Sequence, residues 1–403
     1  MIMTIHEVSA PPRSDGSALT EASAEEWLRT TLFRPGPRRR AGVELEYVVH
    51  TRPGPPRHPH PDELRPARSE AEAQFSFNRF TVEPGGQVEL SNTTPAPDIA
   101  TAIERTAHDL AVLREALARH GLRAVGRGTD PLPSPPRVLI EPRYAAMERY
   151  LDRWGPAGRV MMRRTASVQV NVEAATHGRS DTAERWALLH AVGPALAAAF
   201  DTSGGERQRT WLALDPARCR PPHLRRGESP PSAYARWALD APLMVVRRPG
   251  PDWSAPPAVS FRTWVRGGVP SLPQPTLDDL AYHLTTLFPP VRARGHLEVR
   301  YLDAQPARWW RVPAAVVPAL LDDDRAAAAT GAAGERVASL EDPWTRAATV
   351  GLADPVLCAA ARGLLEAAAE SLDRAGHRDL AALTADYLSC RPVDPTPQEA
   401  EPC

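Results

Sequence analysis

The chain contains no lysine, so all 48 of its permanently cationic side chains are arginine. That absence excludes the GxxxxGK phosphate loop, and no such string occurs. Any triphosphate would be held by arginine forks and divalent cations instead. A surplus of either charge is also missing, with 49 acidic residues leaving a net charge of -1. This excludes the broad positive field of a general nucleic-acid or anionic-membrane binder, and neither partner is expected. Long apolar runs are absent too: LLHAVGPALAAAF is short, holds Pro194 and does not predict a membrane span. Cysteine is scarce. Cys219, Cys358, Cys390 and Cys403 stand apart with no CxxC pair, which fits free thiols in a reducing cytoplasm. Cys219, in LDPARC, has no local histidine to activate it and reads as a structural or idle thiol.

What is present suffices for a large core: 403 residues, 42% of them apolar. Residues 1–20 and 391–403 are small, polar and proline-containing and are expected to be disordered, leaving 21–390 as a single domain with a helical C-terminal part. Apolar Ile99, Ile103, Leu110, Leu113 and Leu117 recur at helical spacing between a capping Asp98 and Gly121, which predicts an amphipathic helix. A second, buried helix is predicted over 182–200, broken near Pro194. Residues 51–70, rich in proline and arginine, read as a long surface loop. Within it His58 and His60 form an HxH beside Asp62 and Glu63, which reads as solvated loop, since such sequence does not hold ligands rigidly. LMVV and HLEVRYLD read as strands, the latter with Glu298 and Arg300 on one face, and the Ala-rich chain after residue 312 reads as helical. The expectation is an α+β protein: antiparallel strands with polar faces, backed by helices.

Three strand-like stretches carry the chemistry. GVELEY holds Glu44 and Glu46, VEPGGQVELS holds Glu83, Gln87 and Glu89, and TASVQVNVE holds Gln169 and Asn171. Side chains two apart on a strand share a face, so Glu44 sits with Glu46 and Gln87 with Glu89. Adjacent carboxylates repel and raise each other's pKa unless a cation lies between them. Hard oxygen donors suit Mg²⁺ or Mn²⁺. Between Glu83 and Glu89, Pro84, Gly85 and Gly86 interrupt the strand, so shared facing cannot be read there; the glycines would allow close approach to a phosphate or substrate.

Read in order, these strings resemble the plant-type glutamate-cysteine ligase family, especially its actinobacterial, ergothioneine-pathway members. GVELEY resembles the first acidic strand, VEPGGQVELS the Glu-Pro-Gly-Gly-Gln signature, and GPAGRVMMRRTASVQVNVE the strand that follows. YARWALDAPLM, FRTWVRGGVP, HLTTLFPPVR and HLEVRYLD continue the match, which spans roughly 40 to 310. One departure is Glu173, where relatives end the strand with aspartate; another is the extended segment after His50.

The resemblance implies a glutamine-synthetase-like fold whose antiparallel sheet forms a funnel. It implies ATP-dependent ligation of L-cysteine to the γ-carboxylate of L-glutamate through γ-glutamyl phosphate, with ATP and two or three Mg²⁺ ions. By the same resemblance Glu44, Glu46, Glu83, Glu89, Gln169 and Glu298 would be metal ligands, and Arg300 would contact the transferring phosphoryl group. Gln87, Arg143, Tyr144, Arg163, Asn171 and Arg209 would serve the substrates. Tyr234 has two readings, pocket lining or core. Two alternatives stay open: a related ligase joining glutamate to another amine, and a non-catalytic binding module of the same fold. Oligomeric state is not readable.

Overall fold

A computed structural model describes residues 19–177, 181–306 and 308–390. Of the termini expected to be disordered, 1–20 and 391–403, residues 1–18 and 391–403 lie outside these residues, while Leu19 and Thr20 are ordered against that expectation. Leu19 is buried, and Thr20 caps the first helix, Glu21–Leu32.

The strands are β1 (Pro35–Gly36), β2 (Ala41–Thr51), β3 (Asn78–Val82), β4 (Val88–Asn92), β5 (Leu122–Val125), β6 (Ser167–Val172), β7 (Ala175–Thr176), β8 (Val291–Ala293) and β9 (Leu297–Asp303). β1 and β7 form a short parallel pair. The others make one antiparallel sheet in the order β3-β4-β2-β6-β9-β8, with β5 on the far end of β2. One face of β2 and β6 buries Val43, Leu45, Val168, Val170 and Val172 in the main core, while the alternate positions carry the acids and amides.

Register sets the polar face. Glu44 pairs with Ser91 on one side and Gln169 on the other; Glu46 pairs with Glu89, and Asn171 with Glu298. Between β6 and β9 the register shifts, so that Val168 faces Leu302 while Val170 faces Val299. The extra residue on β9 is a bulge opposite Gln169, at Arg300 and Tyr301. Bulges re-aim side chains, and this one lets both Arg300 and Asp303 join the polar face.

The helix Ile99–Arg119 forms as its periodicity predicts, with Asp98 accepting from Thr101 N at 2.8 Å and Gly121 at a positive φ beyond its end. The 182–200 region is two helices, Thr182–Ala191 and Gly193–Ala199, with Pro194 in the first turn of the second, where its missing N–H costs nothing. The C-terminal part is helical, including Pro355–Arg374 capped by Asp354.

Two expectations are corrected. LMVV is not a strand; the segment makes only isolated bridges, Pro242 with Ser260 and Val245 with Ser254. The segment 51–70 is not all loop, since Pro61–Glu72 is a helix burying Leu64, Ala67 and Ala71 against Ile99–Arg119. His60 caps it, Pro61 opens it and Asp62 and Glu63 fill its first turn, a start signal hidden by the surrounding prolines.

Candidate active site

The polar sheet face opens into a cavity with about 230 Å³ accessible to the centres of water molecules. One wall is acidic, formed by Glu44, Glu46, Glu83 and Glu89. The opposite wall is basic, formed by Arg292, Arg294 and Arg300, with Arg79, Arg143 and Arg207 also lining the space.

The acidic wall is built by pairing. Glu46 accepts from Ser167 N and Oγ at 2.8 and 2.9 Å and from Gln169 Nε2 at 2.9 Å. Glu89 accepts from Thr81 Oγ1 at 3.0 Å. Glu83 lies just past β3, where its N–H bonds Gln87 O and its carbonyl accepts from Gly86 N. The Pro-Gly-Gly stretch therefore turns the chain and returns it with Glu83 and Glu89 on one side. Burial is the main cause that raises the Glu46, Glu83 and Glu89 carboxyls, and repulsion among the four adds to it; Glu83 is pushed up to about 7. Such a set stores electrostatic stress that a hard divalent cation relieves, and its donors are all oxygen. The residues fit Mg²⁺ or Mn²⁺.

The basic wall has a carboxylate at its centre. Glu298 is fully buried, accepts from Arg292 Nε at 2.9 Å and Nη2 at 2.7 Å, and also pairs with Arg294 and Arg300. Burial opposes its ionisation, but the three guanidinium groups hold it well below the usual carboxylate range. Glu298 thus faces arginines, where the resemblance implied a metal. Gln169 bridges the walls, donating to Glu46 and accepting from Arg300 Nη1 at 2.6 Å. Its oxygen points at the guanidinium rather than at the acids.

Other expected residues divide. Arg143 and Tyr144 line the cavity, and Arg143 is held by Thr285 Oγ1 and O at 2.9 and 3.0 Å. Gln87 lines it as well, but its amide is engaged within the fold: Oε1 accepts from Gly85 N at 3.0 Å, and Nε2 donates to Thr165 O at 3.0 Å. Asn171 Nδ2 donates to Glu44 Oε1 at 3.2 Å from outside the cavity lining.

Three more residues are not brought to the cavity. Arg163 pairs with Glu148. Arg209 turns to Gly204 O and Ala348 O. Tyr234 is buried among Phe33, Trp186 and Trp237, the core reading. Gly85 also departs from expectation: a Cβ there would lie 2.2 Å from Arg163 O, so the close approach it allows is to protein backbone. Glu173 lies outside, paired with Arg40 and packed on Gly36.

Sequence reasoning missed Arg207, Arg292 and Arg294. Arg292 and Arg294 alternate on either side of Ala293 just before a glycine turn into β9, a hairpin pattern that would have placed Arg292 opposite Glu298. Arg207 stands two residues from Arg209 on Glu206–Leu212 and carried no strand signal. It is buried, donates Nη2 to Arg300 O at 2.7 Å, and its Nε and Nη1 have no hydrogen-bond partner. Cys219 is buried and its thiol pushed up to about 12 by that burial, which leaves it unreactive. No helix among the described residues is long and apolar enough to cross a membrane.

Comparison with known proteins agrees with this chemistry. The chain is 40% identical over 386 residues to a protein of Mycolicibacterium smegmatis named glutamate--cysteine ligase EgtA, covering 90% of this chain and 89% of that one. The Mycobacterium tuberculosis protein of the same name is 40% identical over 373 residues, 88% of this chain and 84% of the relative. A chloroplastic glutamate--cysteine ligase of Brassica juncea is 28% identical, covering 76% of this chain and 63% of its own length. A crystal structure described as a novel glutamine synthase homolog overlaps 87% of this chain and 70% of its own at 17% identity with a TM-score of 0.35, too slight a likeness to bear on the fold. Residues 40–388 match the family described as Glutamate-cysteine ligase family 2 (GCS2), and the chain belongs to that family.

Proposed function

We propose that this protein is an ATP-dependent ligase that joins the amine of L-cysteine to the γ-carboxylate of L-glutamate, giving γ-glutamylcysteine, ADP and phosphate, in the cytoplasm and toward ergothioneine. The observation that carries this reading is the polarised cavity, with four carboxylates facing a basic wall of three arginines across one sheet. A carboxylate is a poor acyl donor. Transfer of the γ-phosphoryl group of ATP to it makes an acyl phosphate, and attack by the amine then expels inorganic phosphate. Anionic oxygens carry the charge throughout, so preorganised cations do most of the stabilising.

Each wall has its part. Glu44, Glu46, Glu83 and Glu89 would hold Mg²⁺, which neutralises phosphate oxygens when bound. Glu298 is the anchor that keeps Arg292, Arg294 and Arg300 aimed at the cavity. A carboxylate shared by three guanidiniums leaves a net positive charge, so Arg300 and its neighbours still attract the transferring group. Arg207, whose Nη1 is ion-paired with Asp303 Oδ1 at 3.6 Å and whose Nε has no hydrogen-bond partner, adds its positive charge toward the same anion. Arg143 and Tyr144 flank the space from the helix Pro142–Leu151 and suit the substrate carboxylate. Gln87 positions the Glu83–Gly86 turn through Gly85 N and Thr165 O. Gln169 and Asn171 set the rotamers of Glu46 and Glu44.

The test uses purified full-length protein with Mg²⁺, ATP and L-glutamate. Hydroxylamine should trap γ-glutamyl hydroxamate, one ADP per hydroxamate, and L-cysteine should be preferred across a panel of amines. Hydroxamate formation with a different preferred amine would replace cysteine as the acceptor. No hydroxamate and no ADP from folded protein would leave only a binding module.

A further inference from the structure

The acidic cavity leaves unexplained a second cluster of ligand atoms at the far end of β2. His50 shares the strand face of Glu44 and Glu46 but lies four residues beyond Glu46, roughly 13 Å along the strand. Val48, packed on Ala166 and Ala304, separates the two places. There one nitrogen each of His50 and His58 and one oxygen of Asp130 lie within 4.8 Å of one another. The HxH pair is thus split: His60 turns away to cap a helix, while His58 turns inward.

Hydrogen bonding shows what the cluster needs. His58 Nε2 lies 3.2 Å from Pro133 O, and a carbonyl only accepts, so Nε2 carries the proton. In neutral His58 the Nδ1 lone pair then faces Asp130 Oδ2 at 3.6 Å, acceptor against acceptor, with Asp130 fully buried. A cation between them resolves that opposition. His50 Nε2 lies 2.9 and 3.1 Å from the two Asp130 oxygens, and its other ring nitrogen, Nδ1, is buried without any partner. The ionised Asp130 can only accept, so His50 Nε2 carries the proton, and an ion bound there would take that proton's place between the imidazole and the carboxylate. A histidine that donates its far nitrogen to a backbone carbonyl, as His58 does, is the usual form of an oriented metal ligand. Two imidazoles with one carboxylate select a borderline transition ion such as Zn²⁺ over Mg²⁺. The His58 side chain is 19% exposed, which gives an ion a way in and leaves a water position open.

We propose that His50, His58 and Asp130 form a Zn²⁺-class site, distinct from the carboxylate cavity, that ties the proline-rich crossing after β2 to the sheet. The site would also brace the active cavity. Asp130 N donates to Arg164 O at 2.8 Å, and Arg164 Nε returns a bond to Asp130 O at 2.9 Å, one residue before Thr165 of the cavity lining.

The experiment takes untagged full-length protein, strips it with chelator, and titrates Zn²⁺ or Co²⁺ in excess Mg²⁺, reading metal content, thermal midpoint and the Co²⁺ ligand-field spectrum. Wild type should retain a single ion per chain, gain thermal stability and give a low-coordinate Co²⁺ spectrum. His58→Ala should bind about tenfold or more weakly and lose that spectrum; His60→Ala and Glu89→Gln should bind as wild type. Should the alanine variant unfold, His58→Gln keeps a donor for Pro133 O and serves in its place. Failure of wild type to retain Zn²⁺, equal retention by the His58 variants, or loss in Glu89→Gln instead would overturn the proposal, and none of these outcomes bears on the ligase reading.

Discussion

Two kinds of glutamate build this site, four lining the cavity and one buried behind its arginines, and their surroundings separate them. Glu89 is one of four crowded carboxylates, raised by burial first and then by Glu83, Glu44 and Glu46. Glu298 is one carboxylate among three guanidiniums and is held low. Neutralising each should therefore act in opposite directions on the metal-free fold. Glu89→Gln removes a repelled charge, so its metal-free stability should equal or exceed that of wild type while turnover falls about 100-fold or more. Glu298→Gln strips the shared anion from three buried cations and should cost about 3 kcal/mol or more, since breaking a buried ion pair leaves uncompensated charge. Denaturant melts in chelator, paired with ADP release, check both. Equal destabilisation by the two substitutions would put Glu298 and Glu89 in the same role. Glu298 and Arg300 were legible as neighbours on one strand face, but the role of Glu298 was not: it is set by Arg292 and Arg294, which reach it across a hairpin.

At the scale of elements, strand alternation was the strongest signal in the chain. β2, β4, β6 and β9 were readable because one face is apolar and the other carries acids and amides, and the Asp98-capped helix because its apolar spacing is regular. What escaped was tertiary. Helix Pro61–Glu72 was masked by its prolines, of which Pro61 suits a helix start while Pro66 lies inside the helix, and the bulge at Arg300 and Tyr301 exists only once β9 pairs with β6. Tyr234 and Arg209 share the composition of site residues, yet packing sends one into the core and the other to the outer surface. The Glu83–Gly86 turn is docked by close backbone contact at Gly85, not by its sequence alone. Gly85→Ala would put a Cβ 2.2 Å from Arg163 O, and backbone cannot step aside cheaply. The substitution should lower stability by about 1–3 kcal/mol, as overpacked sites do, and reduce activity by displacing Glu83. A Gly85→Ala protein as stable and active as wild type would show that the turn is not fixed by this contact.

For the whole molecule, protons and metal compete for one wall of the cavity. Because Glu83 is pushed up to about 7 from an ordinary 4.5, the metal-free fold holds protons that the unfolded chain releases, and the stability it contributes is lost as pH rises through that interval. Glu46 and Glu89, also raised, act with the same sign. Buried His190, lowered to about 4, and His283, lowered to about 3, act oppositely, adding stability as pH rises toward 6.5. Comparing each pH with and without Mg²⁺ cancels the histidines, since they lie away from the acidic wall. A cation that binds only the deprotonated wall stabilises the fold more as the protons leave. The most direct measurement is therefore the Mg²⁺-induced rise in unfolding free energy between pH 5 and pH 8. The increment should be small at pH 5, grow through pH 7, and shrink at every pH in Glu89→Gln. An increment independent of pH, or unchanged by Glu89→Gln, would contradict the placing of the cation among Glu44, Glu46, Glu83 and Glu89.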